Sequence, residues 1–245
     1  MKSANHQQLL IEETENRQAL HWGQEQVNRR PPSHPAVQAL FEPRAQFVAR
    51  LVGRDRKTRV LDVGCGNGFL TVPLERHFDE VVAMDFSESM LAINPCRCKL
   101  RGDATEIAFP DGAFEVVVAS HLLHHLSAGQ QEQAVREMCR VARRVVVIYE
   151  PNRNHPLMAA FGMARAHERL LLAFAPSRPR LLLQAAGLPR VVSRIEGLIT
   201  PNLCPAFLAP AARALGGTGL RRLGFYVRAV GWHAESGLDL SALDA

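Results

Sequence analysis

The sequence has few cysteines and few aromatic residues, and it lacks a long apolar run. Its five cysteines are odd in number and scattered over 245 residues, which argues against a disulfide framework. Cys96 and Cys98 have no second Cys or His pair at the spacing of a zinc site, so we expect no metal centre. No apolar stretch approaches the roughly 20 residues that cross a bilayer. The polar N-terminus does not resemble a secretory signal, so we expect a cytoplasmic protein with no membrane span.

A concentrated block of charge is also missing. The formal net charge is +5, and the excess is mostly arginine spread along the chain. Such a distribution favours a solvated arginine-rich surface over a nucleic-acid-binding face. Hydrophobic residues make up 47% and charged residues 22% of the chain, values typical of a globular protein.

From residue 58 onward, short apolar runs alternate with segments of helical periodicity. The predicted strands include TRVLDVG, EVVAMDFS, FEVVVAS and RRVVVIYEP, and the predicted helices between them include FLTVPLERHF, SESMLAI and HLLHHL. This alternation predicts a mostly parallel sheet with helices on both faces. Ser87 is a candidate helix N-cap. A further helix is predicted over residues 36–52, with a break or kink at Pro43.

A glycine-rich turn follows the first predicted strand, in the stretch VLDVGCGNGFL. Gly64, Gly66 and Gly68 allow the backbone to approach a ligand closely. A dinucleotide-binding turn would need a third glycine where Phe69 stands, and a phosphate-binding loop would need Gly-Lys-Ser/Thr. Asp62 would repel a pyrophosphate but attract a cationic amino group. A nicotinamide oxidoreductase is therefore disfavoured.

Further polar residues follow the later strands. Asp85 ends the second strand, where a carboxylate can hold two ribose hydroxyls. Phe86 and Met90 offer apolar faces for a purine, and Asp103 could accept a hydrogen bond from an exocyclic amine. Together these residues indicate a nucleoside site at the carboxyl ends of the strands.

Four stretches in this order carry a resemblance: VLDVGCGNG, VVAMDFSESML, RGDATEIAFPDGAFEVVVASHLLHHL and VARRVVVIYEPN. They resemble the class I S-adenosylmethionine-dependent methyltransferases, in particular the type 11 branch, over about residues 36–152. The resemblance implies a Rossmann-like α/β fold with a seven-stranded, mostly parallel sheet whose last strand is antiparallel. Residues 1–35 would form an N-terminal helical extension or lid. Residues 36–245 would form the methyltransferase domain, with a cofactor half (36–152) and an acceptor-side insertion plus the last two strands (153–245).

The resemblance also implies that S-adenosylmethionine is the cofactor and S-adenosylhomocysteine the product. The glycine turn would cradle the methionine part beside Asp62, and Asp85 would hold the ribose. The residues expected to contact the cofactor are Asp62, Gly64, Cys65, Gly66, Gly68, Asp85, Phe86, Met90, Asp103, Ala104 and Ser120.

Methyl transfer from a sulfonium is an in-line displacement that depends mainly on positioning. We expect a small-molecule acceptor, with methylation of a hydroxyl oxygen assisted by a histidine base. His121 and His124 are the candidate catalytic residues, because a helix would place them on one face. Candidate acceptor-binding residues are His21, Trp22, Asn152 and His155.

Two alternatives stay open. A nucleic-acid methyltransferase is disfavoured, because the enzymes that modify base amino groups carry an Asn/Asp-Pro-Pro-aromatic motif where this chain has ASHL. A non-catalytic protein that binds the cofactor is the other alternative. The sequence does not identify the acceptor or the oligomeric state.

Overall fold

The computed structural model describes residues 30–164, 169–197 and 224–243. His21 and Trp22 lie outside the described residues, as does the predicted N-terminal extension except for residues 30–35. The proposed division of the chain at residue 35 therefore stays a prediction.

The described residues form a seven-stranded sheet in the order β3-β2-β1-β4-β5-β7-β6. β7 is antiparallel to both of its neighbours, while the pairs among β1 to β5 are parallel. The predicted fold class is confirmed, including the antiparallel last strand. The strands are β1 (Arg59–Val63), β2 (Glu80–Asp85), β3 (Lys99–Arg101), β4 (Phe114–Ser120), β5 (Ala142–Pro151), β6 (Arg190–Glu196) and β7 (Tyr226–Trp232).

The order of the strands reverses between β1 and β4. The chain leaves β1 toward β2 on one side, whereas β4 pairs with β1 on the other side. In open α/β sheets, ligands bind in the crevice that this reversal opens at the carboxyl ends of the strands. The glycine turn follows β1 and His121 follows β4, so both lie at this edge.

Helices cover both faces of the sheet, as the sequence predicts. Side chains alternate across β5: Val145, Val147 and Tyr149 pack in one buried cluster, and Val146 and Ile148 pack in the other. A strand buried on both faces reads as a continuous apolar run for this reason. The helices are α1 (Pro35–Leu51), α2 (Thr71–Leu74), α3 (Glu88–Ile93), α4 (Ala128–Val141), α5 (Pro156–Ala164), α6 (Arg169–Ala173) and α7 (Arg178–Ala185), with 3-10 turns at Leu123–His125 and Leu240–Leu243.

The sequence predicts the start of one helix correctly, but it does not predict the continuity of another. The Ser87 side chain accepts a hydrogen bond from the Met90 amide and caps α3, as predicted. α1, in contrast, runs without interruption through Pro43. Buried side chains on both sides of Pro43 pack into one core, which outweighs a single missing backbone hydrogen bond. The helix is therefore not broken at Pro43, and a kink there stays a prediction.

The predicted helix FLTVPLERHF is shorter than expected, since only Thr71–Leu74 is α-helical. Within the described parts of the chain, the structure contains no helix with both the length and the apolar character needed to cross a membrane.

Candidate active site

The glycine turn after β1 holds all three of its glycines in the left-handed region. The φ angles of Gly64, Gly66 and Gly68 are 68°, 51° and 90°. A Cβ at Gly64 would come within 2.8 Å of Leu122, and one at Gly68 within 2.6 Å of Asn94 Oδ1, whereas one at Gly66 would meet nothing within 4 Å. The outer two glycines are therefore required by packing, and the middle one borders open space.

Asp85 connects the end of β2 to this turn. Its Oδ2 accepts a hydrogen bond from the Gly66 amide at 2.7 Å, and its Oδ1 accepts one from the Ser87 amide at 2.8 Å. Burial raises the pKa of the Asp85 carboxyl. The Phe86 amide also donates to this carboxylate. A carboxylate has about four lone-pair positions, so Asp85 keeps capacity for a ligand hydroxyl.

Asp62, at the end of β1, is buried beneath the turn. Its Oδ2 accepts a hydrogen bond from the Thr71 hydroxyl at 2.6 Å, while Oδ1 has no hydrogen-bond partner within the part of the chain that the structure describes. Burial, together with the nearby Asp85 charge, raises the pKa of Asp62 to about 7. A cationic donor at Oδ1 would satisfy this oxygen and favour the ionised carboxylate.

Asn94 is a buried residue at the end of α3 that contacts the glycine turn. It was not among the residues predicted from the sequence. Its Nδ2 donates to the Gly66 carbonyl at 3.1 Å and contacts Cys65 Sγ at 3.4 Å, and its Oδ1 accepts from the Cys96 amide. Burial raises the pKa of the Cys65 thiol well above its usual range, and the predicted contact of Cys65 with the cofactor stays a prediction. The Asn-Pro dipeptide in LAINPC marks a turn and was the available signal for Asn94.

The remaining predicted cofactor residues lie at the ends of β2 and β3. Met90 is buried, whereas Phe86 is half-buried with the Arg101 guanidinium 5.6 Å from its ring centroid. Asp103 is exposed, and its Oδ1 accepts from the backbone and the hydroxyl of Thr105. Ala104 is half-buried next to it. Their contact with a cofactor stays a prediction.

On the other side of the switch point, Glu150 organises the turn that follows β4. This fully buried carboxylate accepts hydrogen bonds from the amides of Leu122 (3.0 Å) and Leu123 (2.7 Å), and His124 Nδ1 lies 2.6 Å from its second oxygen. A buried carboxylate is tolerated when its oxygens are satisfied in this way. His124 is itself 3% exposed, so its described contact is a structural one, and its catalytic role stays a prediction.

His121 adopts a left-handed backbone conformation with a φ of 60°. Its amide donates to the Tyr149 carbonyl at 2.8 Å, and its Nε2 lies 3.4 Å from Arg44 Nη1. The predicted helix over HLLHHL is therefore wrong at its start: only Leu123–His125 forms a 3-10 turn, and His121 and His124 do not share a helical face. A left-handed backbone conformation like that of His121 is uncommon for a residue other than glycine and is enriched at functional sites.

Ser120 lies beside His121, whereas the two predicted acceptor residues after β5 have structural contacts. Ser120 Oγ accepts a hydrogen bond from Arg44 Nη1 at 3.2 Å. Asn152 is buried and donates to the Gly224 carbonyl at 2.9 Å. His155 stacks on Phe225 with ring centroids 3.8 Å apart and accepts from the Leu157 amide, and burial lowers the pKa of His155. An acceptor-binding role for Asn152 and His155 stays a prediction.

Comparison with known proteins agrees with the geometry at this edge. Residues 60–144 match the family described as a methyltransferase domain. Over 131 residues the chain is 35% identical to phosphatidylethanolamine N-methyltransferase of Cereibacter sphaeroides, covering 48% of this chain and 62% of that protein. Over 102 residues it is 39% identical to demethylmenaquinone methyltransferase of Mycobacterium bovis, covering 41% of this chain and 42% of that protein. The chain thus spans less than two thirds of either relative.

Solved structures show the same fold at low sequence identity. A SAM-dependent methyltransferase from Archaeoglobus fulgidus superposes with a TM-score of 0.61 at 18% identity, covering 85% of this chain and 97% of that chain. Magnesium protoporphyrin IX methyltransferase from Synechocystis, solved with bound S-adenosylhomocysteine, gives a TM-score of 0.55 at 13% identity, covering 81% and 84%. The resemblance to class I S-adenosylmethionine-dependent methyltransferases that the sequence predicts is confirmed.

The buried Asp62 carboxyl makes stability depend on pH in a specific direction. The folded chain keeps this proton up to about pH 7, whereas an unfolded chain releases it near the ordinary value of 3.8. Between these values the folded state binds more protons, so Asp62 lowers the free energy of unfolding as pH rises, by up to about 1.4 kcal/mol per pH unit. We expect Asp62→Asn to gain stability relative to the unmodified protein as pH rises from 4 to 7, measured by urea denaturation.

Asp111→Asn is the control for this measurement, because Asp111 is exposed and pairs with Arg140 at the surface. Its difference from the unmodified protein should change little with pH. Parallel stability curves for Asp62→Asn and the unmodified protein would show that Asp62 is already ionised in the folded state at low pH.

Proposed function

Because residues 60–144 carry a methyltransferase domain, we propose that this protein transfers the methyl group of S-adenosylmethionine to a hydroxyl oxygen of a small molecule. The observation that supports it most is the glycine turn, where open space at Gly66 lies beside the carboxylate of Asp85. The two named relatives support a small-molecule acceptor, since phosphatidylethanolamine and demethylmenaquinone are both small molecules.

The residues at this edge fit the cofactor in chemistry and in space. The unpaired Oδ1 of Asp62 suits the amino group of the methionine part, which would lie over Gly66. The remaining acceptor capacity of Asp85 suits a ribose hydroxyl. The adenine would lie near the residues that follow β2 and β3, which are Phe86, Met90, Asp103 and Ala104.

The bound cofactor supplies a methyl group on a positively charged sulfur, which is reactive without further activation. The chain must therefore orient the acceptor, exclude water and remove the hydroxyl proton. His121 is the group that would accept this proton.

The proposal is tested by finding the acceptor. The protein is incubated with S-adenosylmethionine carrying a ¹³C-methyl group and with separate polar-metabolite, lipid and RNA fractions. We expect the label in a metabolite or lipid, with the carbon chemical shift of a methyl group on oxygen. Label on nitrogen or carbon would contradict the hydroxyl acceptor, label in RNA alone would contradict the small-molecule class, and no label in any fraction would contradict catalysis.

Removing the base should lower turnover without weakening cofactor binding. We expect His121→Asn to lower kcat on the labelled acceptor by about 10²–10⁴-fold, the usual contribution of a general base. Asparagine tolerates the left-handed backbone of this position, so folding is preserved. S-adenosylhomocysteine affinity should stay within a factor of two or so of the unmodified value.

His125→Asn is the matched control, because His125 lies in the same turn without a proposed proton-transfer role. It should keep most of the turnover. Equal turnover in His121→Asn and in the unmodified protein would remove His121 from the mechanism.

A methyl group added at Gly66 should block the cofactor. Gly66→Ala places a Cβ in space that is open in the structure and that the methionine part would fill. We expect an affinity loss for S-adenosylhomocysteine of about tenfold or more by calorimetry, equivalent to about 1.4 kcal/mol or more.

Gly53→Ala separates this effect from backbone strain. Gly53 also has a positive φ (79°), and a Cβ there also meets nothing within 4 Å, but it lies at the end of α1. Both variants should lose about 1–2 kcal/mol of stability from the left-handed backbone. Equal cofactor affinities in the two variants would place the methionine part elsewhere.

A further inference from the structure

Arg44 is a buried cation that the proposed function does not yet use. It lies on α1 with 3% exposure, and its guanidinium carbon is 4.9, 4.7 and 4.4 Å from the ring centroids of Phe41, Tyr149 and Tyr226. The aromatic faces attract the cation, but they do not replace the hydrogen bonds that a guanidinium loses on burial.

The hydrogen bonding of this guanidinium is incomplete. Nη1 donates to Ser120 Oγ at 3.2 Å and lies near His121 Nε2, and Nε lies 4.0 Å from Glu196 Oε1. Nη2 is buried and has no hydrogen-bond partner among the described residues. Its donors are available for a ligand.

Arg44 shares its carboxylate partner with a second arginine. Glu196 also faces a second guanidinium, since its Oε2 lies 3.2 Å from Arg228 Nε, and Arg228 is 8% exposed. Among the described residues, one carboxylate thus faces two largely buried arginines. An anionic group at Nη2 would give Arg44 a closer partner than Glu196 Oε1, which lies 4.0 Å from Arg44 Nε.

The guanidinium lies beside the residues of the proposed methyl-transfer position. Ser120 ends β4 and His121 follows it at the switch point, and both are partly exposed. A group that reaches Ser120 Oγ is therefore next to Arg44. The rings of Phe41 and Tyr226 lie 6.2 and 5.1 Å from the His121 ring, so flat aromatic rings border the same corner.

From the unpaired donors, the shared carboxylate partner and the position, we infer that Arg44 binds a carboxylate of the acceptor. The acceptor is then a planar hydroxy-carboxylate, whose carboxylate lies on Nη2 and whose hydroxyl lies near His121. This inference rests on the proposed function, because it names the chemical class of the same acceptor. Arg44 is a specificity-determining residue in this account.

The test compares carboxylates with their neutral amides. Hydroxybenzoates, hydroxycinnamates and aliphatic hydroxy acids, and the matching amides, are titrated into the protein loaded with S-adenosylhomocysteine, and binding is followed by calorimetry. We expect a planar carboxylate to bind about tenfold or more tightly than its amide, the scale of a charge-assisted hydrogen bond. If no carboxylate in the panel binds more tightly than its matching amide, the inference is overturned.

Substitutions of Arg44 test whether this residue causes the preference for a carboxylate over its amide. Arg44→Gln should remove the preference for the carboxylate, and Arg44→Lys, which keeps the charge in the folded core, should reduce it by losing the forked donor geometry. Arg136→Gln is the control, because Arg136 is exposed and its described hydrogen bonds go to Gln133. A carboxylate preference that survives in both Arg44 variants would also overturn the inference.

The binding of S-adenosylhomocysteine separates this inference from the proposed function. If the cofactor product binds and the methyl label reaches a neutral acceptor, the proposed function stands and the role of Arg44 is refuted. If the cofactor product does not bind to the unmodified protein, the proposed function itself fails.

Discussion

The turn that follows β4 depends on one buried carboxylate, that of Glu150. It has no exposure to solvent, and it holds the amides of Leu122 and Leu123 and the ring of His124. The preceding carbonyl of β5, on Tyr149, accepts the His121 amide. Two successive residues of β5 therefore fix the backbone that follows β4. His121 keeps its left-handed conformation because these contacts offset the cost of that conformation.

The glycine turn after β1 is held in a similar way. Asp85 ends β2 and accepts the amide of Gly66 in the turn after β1, and the carbonyl of Met84 accepts the amides of Gly64 and Cys65. In both places an acidic residue near the end of a parallel strand holds the turn that follows the neighbouring strand. The two turns follow adjacent strands at the switch point, where the proposed function needs a methyl donor beside an acceptor.

Features set by local chemistry could be predicted from the sequence. The strand and helix order follows from periodicity, the glycine turn from the need for positive φ, and the cap of α3 from Ser87. Features set by distant contacts could not. The helix α1 passes through Pro43 because of packing, and His121 leaves the predicted helix because β5 binds its turn. Arg44 reads as an ordinary helical arginine until the fold brings Tyr149, Tyr226 and Glu196 around it.

The central claim is that the glycine turn and its two carboxylates hold S-adenosylmethionine rather than a dinucleotide. Calorimetric titration of the unmodified protein with S-adenosylhomocysteine and, separately, with NAD tests it most directly. We expect micromolar binding of S-adenosylhomocysteine and no heat of binding with NAD, because Phe69 stands where a dinucleotide-binding turn needs its third glycine. Binding of NAD without binding of S-adenosylhomocysteine would contradict it.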